Sequence, residues 1–332
     1  MKNRINTVQT FLLSMAVIAL TSCEKVSPTG ILIGGSGTDD RVEMSVLYYK
    51  MHYNEVLDGE VDGDYSFLVG ADSHLTEDTC RMAEMLQNGL DHDDLLLTHL
   101  GDIADTKAEY YINLENTLAT FREKYISKHY TYDEEREVYV EIESGDAVKK
   151  EDIIYPFFPV VGNHDITHNG WALYSNIFHS SFYEFTVKIG DTGLYDHFIF
   201  LDSANGTLGD YQTDLIDLGL WLDVEGKTIR NTFVFTHSNL FRPSSNQFSS
   251  TFPREELYYL LNKVSEWNTT IMFCGHVHAW DDRVVNGVRY LTLDSMSEQN
   301  SPEPGDYLVR VTCSKDGEVK YEKVHMNYTP KK

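Results

Sequence analysis

The sequence predicts an α/β fold in one large domain, and two observations predict it. Short apolar runs rich in aromatic and β-branched residues recur from Asp64 to about residue 295, each bounded by Gly, Asp or Asn, as strands buried on both faces are. Segments with apolar residues at three- and four-residue steps fall between them, and strands alternating with helices argue for α/β layers. A hydrophobic content of 42% with 12% aromatics excludes a disordered chain, and no internal repeat or low-complexity block divides the sequence.

The strand candidates are Tyr65–Gly70, Leu95–Leu100, Ile153–Val161, Phe198–Leu201, Thr232–Phe235 and Thr270–Cys274. Thr76 is a candidate cap for a first helix that carries Glu77 and Asp78 in its opening turn, buries Met82, Met85 and Leu86, and stops near Gly89. Tyr111, Leu114, Leu118, Phe121 and Tyr125 form the buried stripe of a longer helix. Residues 126–152 read as a surface excursion containing a hairpin, and further helices are expected near Gly170–Phe178, Gln212–Leu222 and Arg254–Val264. Asn286-Gly287 between alternating runs predicts a two-residue hairpin turn.

The N-terminus reads as a targeting segment. Lys2 and Arg4 precede the run Phe11–Leu20, apolar except for Ser14 and too short to span a bilayer. Leu20-Thr21-Ser22-Cys23 resembles the lipobox of bacterial lipoproteins, which implies cleavage before Cys23, its lipidation, and export to a bacterial membrane. An ordinary cleaved signal and an uncleaved anchor are the alternatives. Residues 1–22 are therefore expected as a signal peptide, 23–62 as a tether and N-terminal packing segment, and 63–328 as the folded domain. Loss of Lys2 and Arg4 takes the formal charge from −25 to −27, which repels polyanions and disfavours bulk nucleic-acid binding. Cys80, Cys274 and Cys313 show neither a disulfide framework nor a zinc pattern and read as packing residues.

The chemistry gathers where apolar runs end. Residues 272–280, MFCGHVHAW, place His276 and His278 one residue apart, so on an extended backbone both rings face one side. The pair reads either as metal ligands or as two unrelated histidines at a turn. Other runs end in Asp72-Ser73-His74, Gly101-Asp102-Ile103-Ala104-Asp105, Gly162-Asn163-His164-Asp165 and Thr236-His237. Singly these fit ordinary turns. Carboxylates, an amide oxygen and imidazoles without thiolate suit Mn, Fe, Zn or Co.

The ordered series D-x-H, GD-x-x-D, GNHD, H and GH-x-H is similar to the calcineurin-like metallophosphoesterase family, over residues from about 64 to 295. The resemblance implies a four-layer fold in which two mixed β-sheets pack as a sandwich flanked by α-helices. It implies two divalent or trivalent metal ions, one held by Asp72, His74 and His278, the other by Asn163, His237 and His276, with Asp102 bridging. It further implies hydrolysis of a small phosphate ester by a metal-bridging hydroxide, with His164 protonating the leaving group and Asp105 orienting His164. Asp165 is expected to support the GNHD turn. Thr106 where phosphoprotein phosphatases carry Arg, and GNHD in place of GNHE, disfavour a protein phosphatase; Asp105 where purple acid phosphatases carry a metal-binding Tyr argues against their Fe(III)–Tyr site.

Asn239, Arg242, Asn246 and Trp280 lie near the motifs and are candidate substrate contacts. Asp202 and Ser203 read as structural, or as ordering the site loops, and His99 as a hydrogen-bonded core histidine. A non-catalytic metal-binding scaffold lipoprotein and a nuclease are the rival functions; the complete ligand set counts against the first and the charge against the second.

Overall fold

A computed structural model describes residues 37–52, 59–105, 107–219, 224, 226–297 and 307–326. The segments expected as a signal peptide and the start of a tether, with Cys23, as well as Thr106, lie outside the described residues. Six α-helices and fifteen strands follow one another among them: α1 Thr38–His52, β1 Gly59–Val61, β2 Tyr65–Gly70, α2 Cys80–Asp91, β3 Leu96–His99 and α3 Ala108–His129. Next come β4 Tyr130–Asp133, β5 Val138–Glu141, β6 Ala147–Val148, β7 Phe157–Pro159, α4 Gly170–Phe178, β8 Tyr183–Ile189 and β9 Leu194–Leu201. The last are α5 Asp210–Leu218, β10 Thr228–Thr236, α6 Arg254–Glu266, β11 Thr269–Cys274, β12 Asp281–Val285, β13 Val288–Thr292, β14 Tyr307–Cys313 and β15 Val319–His325.

Two mixed sheets form the centre of the fold. One has the order β1-β8-β9-β10-β11-β13-β12, the other β15-β14-β2-β3-β7, and β4-β5-β6 form the surface excursion. Alternation along each strand assigns its side chains to layers. Phe67, Val69, Phe198, Phe200, Phe233, Phe235 and Phe273 fill the space between the sheets. Their strand neighbours point outward: Leu68 and Leu97 pack with the stripes of α2, α3 and α4, and Ile199, Val234 and Met272 pack with residues of α1, α5 and α6. Both faces of the central strands are buried, which is why they read as unbroken apolar runs. The resulting helix–sheet–sheet–helix stack is the arrangement the resemblance implies. No helix among the described residues is long and apolar enough to cross a membrane.

The direction of the strands positions the site. β2, β3 and β7 run parallel in one sheet, and β9, β10 and β11 in the other. Each therefore delivers its carboxyl end to the same edge as its neighbours, the usual place for ligands in α/β sheets.

Several boundaries differ from the expected ones. Leu75 is buried and bridged to Ala104, so the chain turns into α2 only at Cys80, whose N–H donates to Asp78 Oδ1 at 2.9 Å, rather than after Thr76. Gly89 does not stop that helix; a Cβ there would lie 2.5 Å from Leu97 Cδ2, so the residue permits close helix–sheet packing. The run Ile153–Val161 shortens to β7, where Pro156 and Pro159 lack the N–H groups a longer ladder needs. The helix α1 and the strands β1, β8, β14 and β15 were not anticipated as elements. The Asn286-Gly287 turn does join the antiparallel pair β12–β13.

Candidate metal centre

Seven expected ligand residues come together in two adjoining sets. In the first, His74 Nε2 lies 3.1 Å from His278 Nε2, and His278 Nε2 lies 3.4 Å from Asp72 Oδ1. In the second, Asn163 Oδ1 lies 2.9 Å from both His237 Nε2 and His276 Nδ1, which are 3.2 Å from one another. Asp102 belongs to both, with Oδ2 at 3.8 Å from His74 Nε2 and 3.4 Å from His237 Nε2.

The spacing fits a metal. Donors about 2.1 Å from one ion are separated by roughly 3.0 Å along an octahedral edge and 3.4 Å along a tetrahedral one. Six of the seven separations, from 2.9 to 3.4 Å, sit near those values, and the 3.8 Å between Asp102 and His74 is longer. Protonation points the same way, because burial pulls His74 and His276 down to about 4 and leaves them as the neutral imidazoles that bind cations. Burial, followed by the charges of Asp72 and Asp165, drives Asp102 well above the usual carboxylate range, a cost that a cation beside it would offset. Burial also opposes ionisation of Asp72, but its hydrogen bond with His278 and the charges of nearby histidines hold it below the usual range.

Local backbone geometry makes the convergence possible. Asp72, His74, Asp102, His276 and His278 all have positive φ, between 41° and 76°. The expectation of an extended His-x-His pair is therefore corrected. Two left-handed residues flank Val277, and His276 turns to the second set while His278 turns to the first. Such conformations cost energy in non-glycine residues and cluster where function requires them. Close backbone approach sets the motif glycines: a Cβ on Gly162 would stand 2.2 Å from Asp102 N, and one on Gly275 would stand 2.6 Å from Asp72 Oδ2.

Second-layer contacts hold these side chains. His237 Nδ1 donates to Leu100 O at 2.8 Å, which leaves Nε2 with its lone pair facing the second set. Asp102 Oδ1 accepts from His164 N at 2.7 Å, freeing Oδ2 for the histidines. Asp72 accepts from His276 N at 3.0 Å. Asp165 is fully buried and accepts from Asp102 N, Gly162 N, Ile103 N and Tyr111 Oη at 2.8–3.0 Å. It therefore ties the GNHD turn, as expected, and also the GD loop. Burial still raises its pKa to about 6.

Asp105 is shared. Its Oδ1 lies 3.4 Å from His164 Nδ1 and 3.5 Å from His74 Nδ1, so the carboxylate faces a candidate ligand as well as the candidate acid. The sequence offered no signal for the second contact, since His74 and Asp105 stand on different loops. Asp105→Asn is expected to weaken metal affinity at the His74 position about 10–100-fold, as loss of a partner behind a ligand histidine does, read by competition against a chelating dye. Unchanged affinity would separate Asp105 from His74.

The expectations for Asn239 and His99 need correction. Asn239 is fully buried and bonds internally, Nδ2 donating to Phe241 O at 2.6 Å and Oδ1 accepting from Ser249 Oγ at 3.3 Å, so it fixes a loop instead of facing a substrate. Trp280 packs against the core, with Lys323 Nζ 4.0 Å from its ring centre. Arg242 is exposed and lines a cavity together with Asn246. His99 is completely buried with neither ring nitrogen hydrogen-bonded to a described residue, and burial takes it down to about 3, so it persists as a neutral imidazole. Cys274 and Cys313 are buried, unpaired thiols and Cys80 is half-buried.

No family model matches the chain, and no curated protein does. Among solved structures the chain is similar to a dimetal phosphatase from Danio rerio, at 11% identity over 80% of this chain and 100% of that one, with a TM-score of 0.47. It is also similar to GAP50, the anchor in the inner membrane complex of Plasmodium, at 14% identity over 80% and 90% of the two chains, with a TM-score of 0.46. A predicted phosphoesterase from Streptococcus pneumoniae matches at 11% identity over 80% and 99%, with a TM-score of 0.32. Matches this distant leave function to the geometry of this chain's own residues.

Proposed function

We propose that the chain is an exported, metal-dependent phosphoesterase that hydrolyses phosphate mono- or diesters. The observation that carries this reading is one buried carboxylate, Asp102, common to two donor sets, with His164 hydrogen-bonded to it through the backbone. Two ions of Mn, Fe, Zn or Co held there would supply Lewis acidity toward the phosphoryl oxygens and an acidified water as nucleophile. Asp72, His74 and His278 would hold one, Asn163, His237 and His276 the other, and Asp102 both.

His164 belongs to neither set, and its side chain is 46% exposed at the open side of the site. With Nδ1 directed to Asp105, Nε2 is the nitrogen left to deliver a proton to the departing oxygen as the P–O bond breaks. Positioning by Asp105 supports this role as general acid.

Metal-replete protein is expected to hydrolyse aryl phosphate mono- or diesters, with activity removed by a chelator and restored by added manganese. His164→Ala is expected to cost on the order of a hundredfold on an alkyl ester and far less on a nitrophenyl ester, whose leaving group departs without a proton. No hydrolysis of any ester by metal-replete protein, with the variant matching wild type, would establish the scaffold reading instead.

Export and anchoring through Cys23 rest on the apolar run and the LTSC stretch, and the acidic surface supports a small substrate over nucleic acid. Cys23→Ser is expected to abolish labelling by a fatty-acid probe; labelling that persists would refute the anchor.

A further inference from the structure

A cavity of about 660 Å³ lies between the loop that follows His237 and the start of α6. Arg242, Asn246, Gln247, Phe248, Arg254 and Tyr258 line it. The loop is bound to the strand that leaves the centre. Arg283 Nη2 donates to Arg242 O at 2.9 Å, Arg283 Nη1 to Ser245 O at 2.7 Å, and Ser244 N to Asp281 Oδ1 at 3.1 Å, three residues beyond His278. Arg242 follows His237 by five residues, which limits their separation to at most about 18 Å.

The cavity's charge is out of keeping with the chain. Acidic residues outnumber Lys and Arg by 52 to 27, and Arg41, Arg230, Arg283, Arg289 and Arg310 are each paired with an aspartate. Arg242 instead donates to the neutral Gln247 Oε1 at 3.3 Å, and the Arg254 side chain makes no hydrogen bond or ion pair with another described residue. Arg254 also opens α6, where the helix dipole disfavours a cation. The nearby Glu256 turns inward, accepting from Thr207 Oγ1 at 2.8 Å and Leu208 N at 2.7 Å, so it does not neutralise the cavity. Two like charges held in one hollow are stabilised by an anion between them.

An aromatic wall accompanies the cations. Phe248 and Tyr258 meet edge to face with ring centres 5.7 Å apart, and 41% and 51% of their surfaces remain exposed. Exposed rings beside arginines that have no acidic partner among the described residues suit a flat ring attached to an anionic group.

We propose that this cavity binds the part of the substrate remote from the scissile ester and selects organic phosphates that carry an aromatic ring and a second anionic group. The reaction side of the proposal rests on the phosphoesterase reading; the binding side does not. Two measurements separate them. In calorimetry on metal-stripped protein, where the carboxylates of the centre repel phosphate, adenosine 3′,5′-bisphosphate is expected to bind at least about tenfold more tightly than adenosine. Arg254→Ala and Arg242→Ala should each weaken it about tenfold, and Arg254→Lys less. Equal affinity for the two compounds, or arginine variants that match wild type, would overturn the pocket. With metals restored, the preference in kcat/KM for the bisphosphate over 5′-AMP should fall about tenfold in Arg254→Ala, and a retained preference would likewise overturn it. Failure of metal-replete wild type to hydrolyse even phenyl phosphate refutes the phosphoesterase reading alone, and calorimetry still decides the pocket.

Discussion

Asparagine in place of Asp102 is expected to empty both metal positions together and to lower hydrolysis about a thousandfold, the equivalent of several kcal/mol of transition-state stabilisation. The side chain keeps its shape but loses the charge that offsets repulsion between two neighbouring cations. Its Oδ1 is held by His164 N at 2.7 Å, so Oδ2 is the atom that reaches the histidines of both sets. His278→Ala touches only the first set and should lower the metal content by about half as much. Elemental analysis of the purified variants distinguishes the two cases, and equal losses would sink the division of ligands proposed here. Unfolding is an unsuitable explanation for the loss in Asp102→Asn. Without a cation Asp102 is repelled by Asp72 and Asp165 in a fully buried setting, so chelated Asp102→Asn should melt no lower than chelated wild type.

Chemistry at the strand ends was legible because every motif except Thr236-His237 opens on a glycine ahead of side chains able to bind metal, and glycine is required where backbones meet. Gly162 against Asp102 is the clearest case. Conformation was not legible from the same letters. The i, i+2 spacing of His276 and His278 suggested one face of a strand, yet positive φ at both residues sends them to different sets. Asn239 failed for a related reason: two residues from His237 in sequence, it lies past a turn that points its amide inward. Position along the chain predicts facing only while the backbone keeps a regular period.

The unanticipated elements share another cause. α1, TDDRVEMSVLYYKMH, lacks a clear apolar stripe, so periodicity could not announce it. Likewise β8 carries Glu184 and Thr186 at buried positions, where Glu184 pairs with His197 at 2.6 Å and Lys227 Nζ donates to Thr186 Oγ1 at 3.0 Å. Buried polar residues whose partners lie on other elements look like surface residues when read alone. Arg254 is the converse, a basic residue at a helix start that reads as an ordinary surface cation until its lack of an acidic partner among the described residues is seen.

Arg41→Ala is expected to destabilise the protein by about 3–5 kcal/mol, the usual result of removing one member of a buried ion pair. Arg41 and Asp202 both have fully buried side chains, and the guanidinium meets the carboxylate through Nε and Nη2 at 2.8 Å each, with Nη2 also donating to Asn205 Oδ1 at 2.7 Å. Alanine would strip the buried Asp202 carboxylate of its cation and leave it the Ala204 N–H at 3.2 Å. Replacing both partners, Arg41→Met with Asp202→Leu, should recover much of the loss because no charge is then left without a partner. Urea denaturation of the single and double variants measures both effects, and a loss below about 1 kcal/mol in Arg41→Ala would show that the pair does not anchor α1. The damage should also reach the metal centre. Ser203, next to Asp202, bonds to Thr236 Oγ1 at 2.6 Å and accepts from Ser238 N at 2.9 Å, so it grips the residues on either side of His237. At temperatures where Arg41→Ala remains folded, metal affinity should therefore fall at the position held by His237 and His276 and change less at the one held by His74 and His278. That asymmetry would identify α1 as a support of one half of the centre, built through Asp202 and absent from any motif in the sequence.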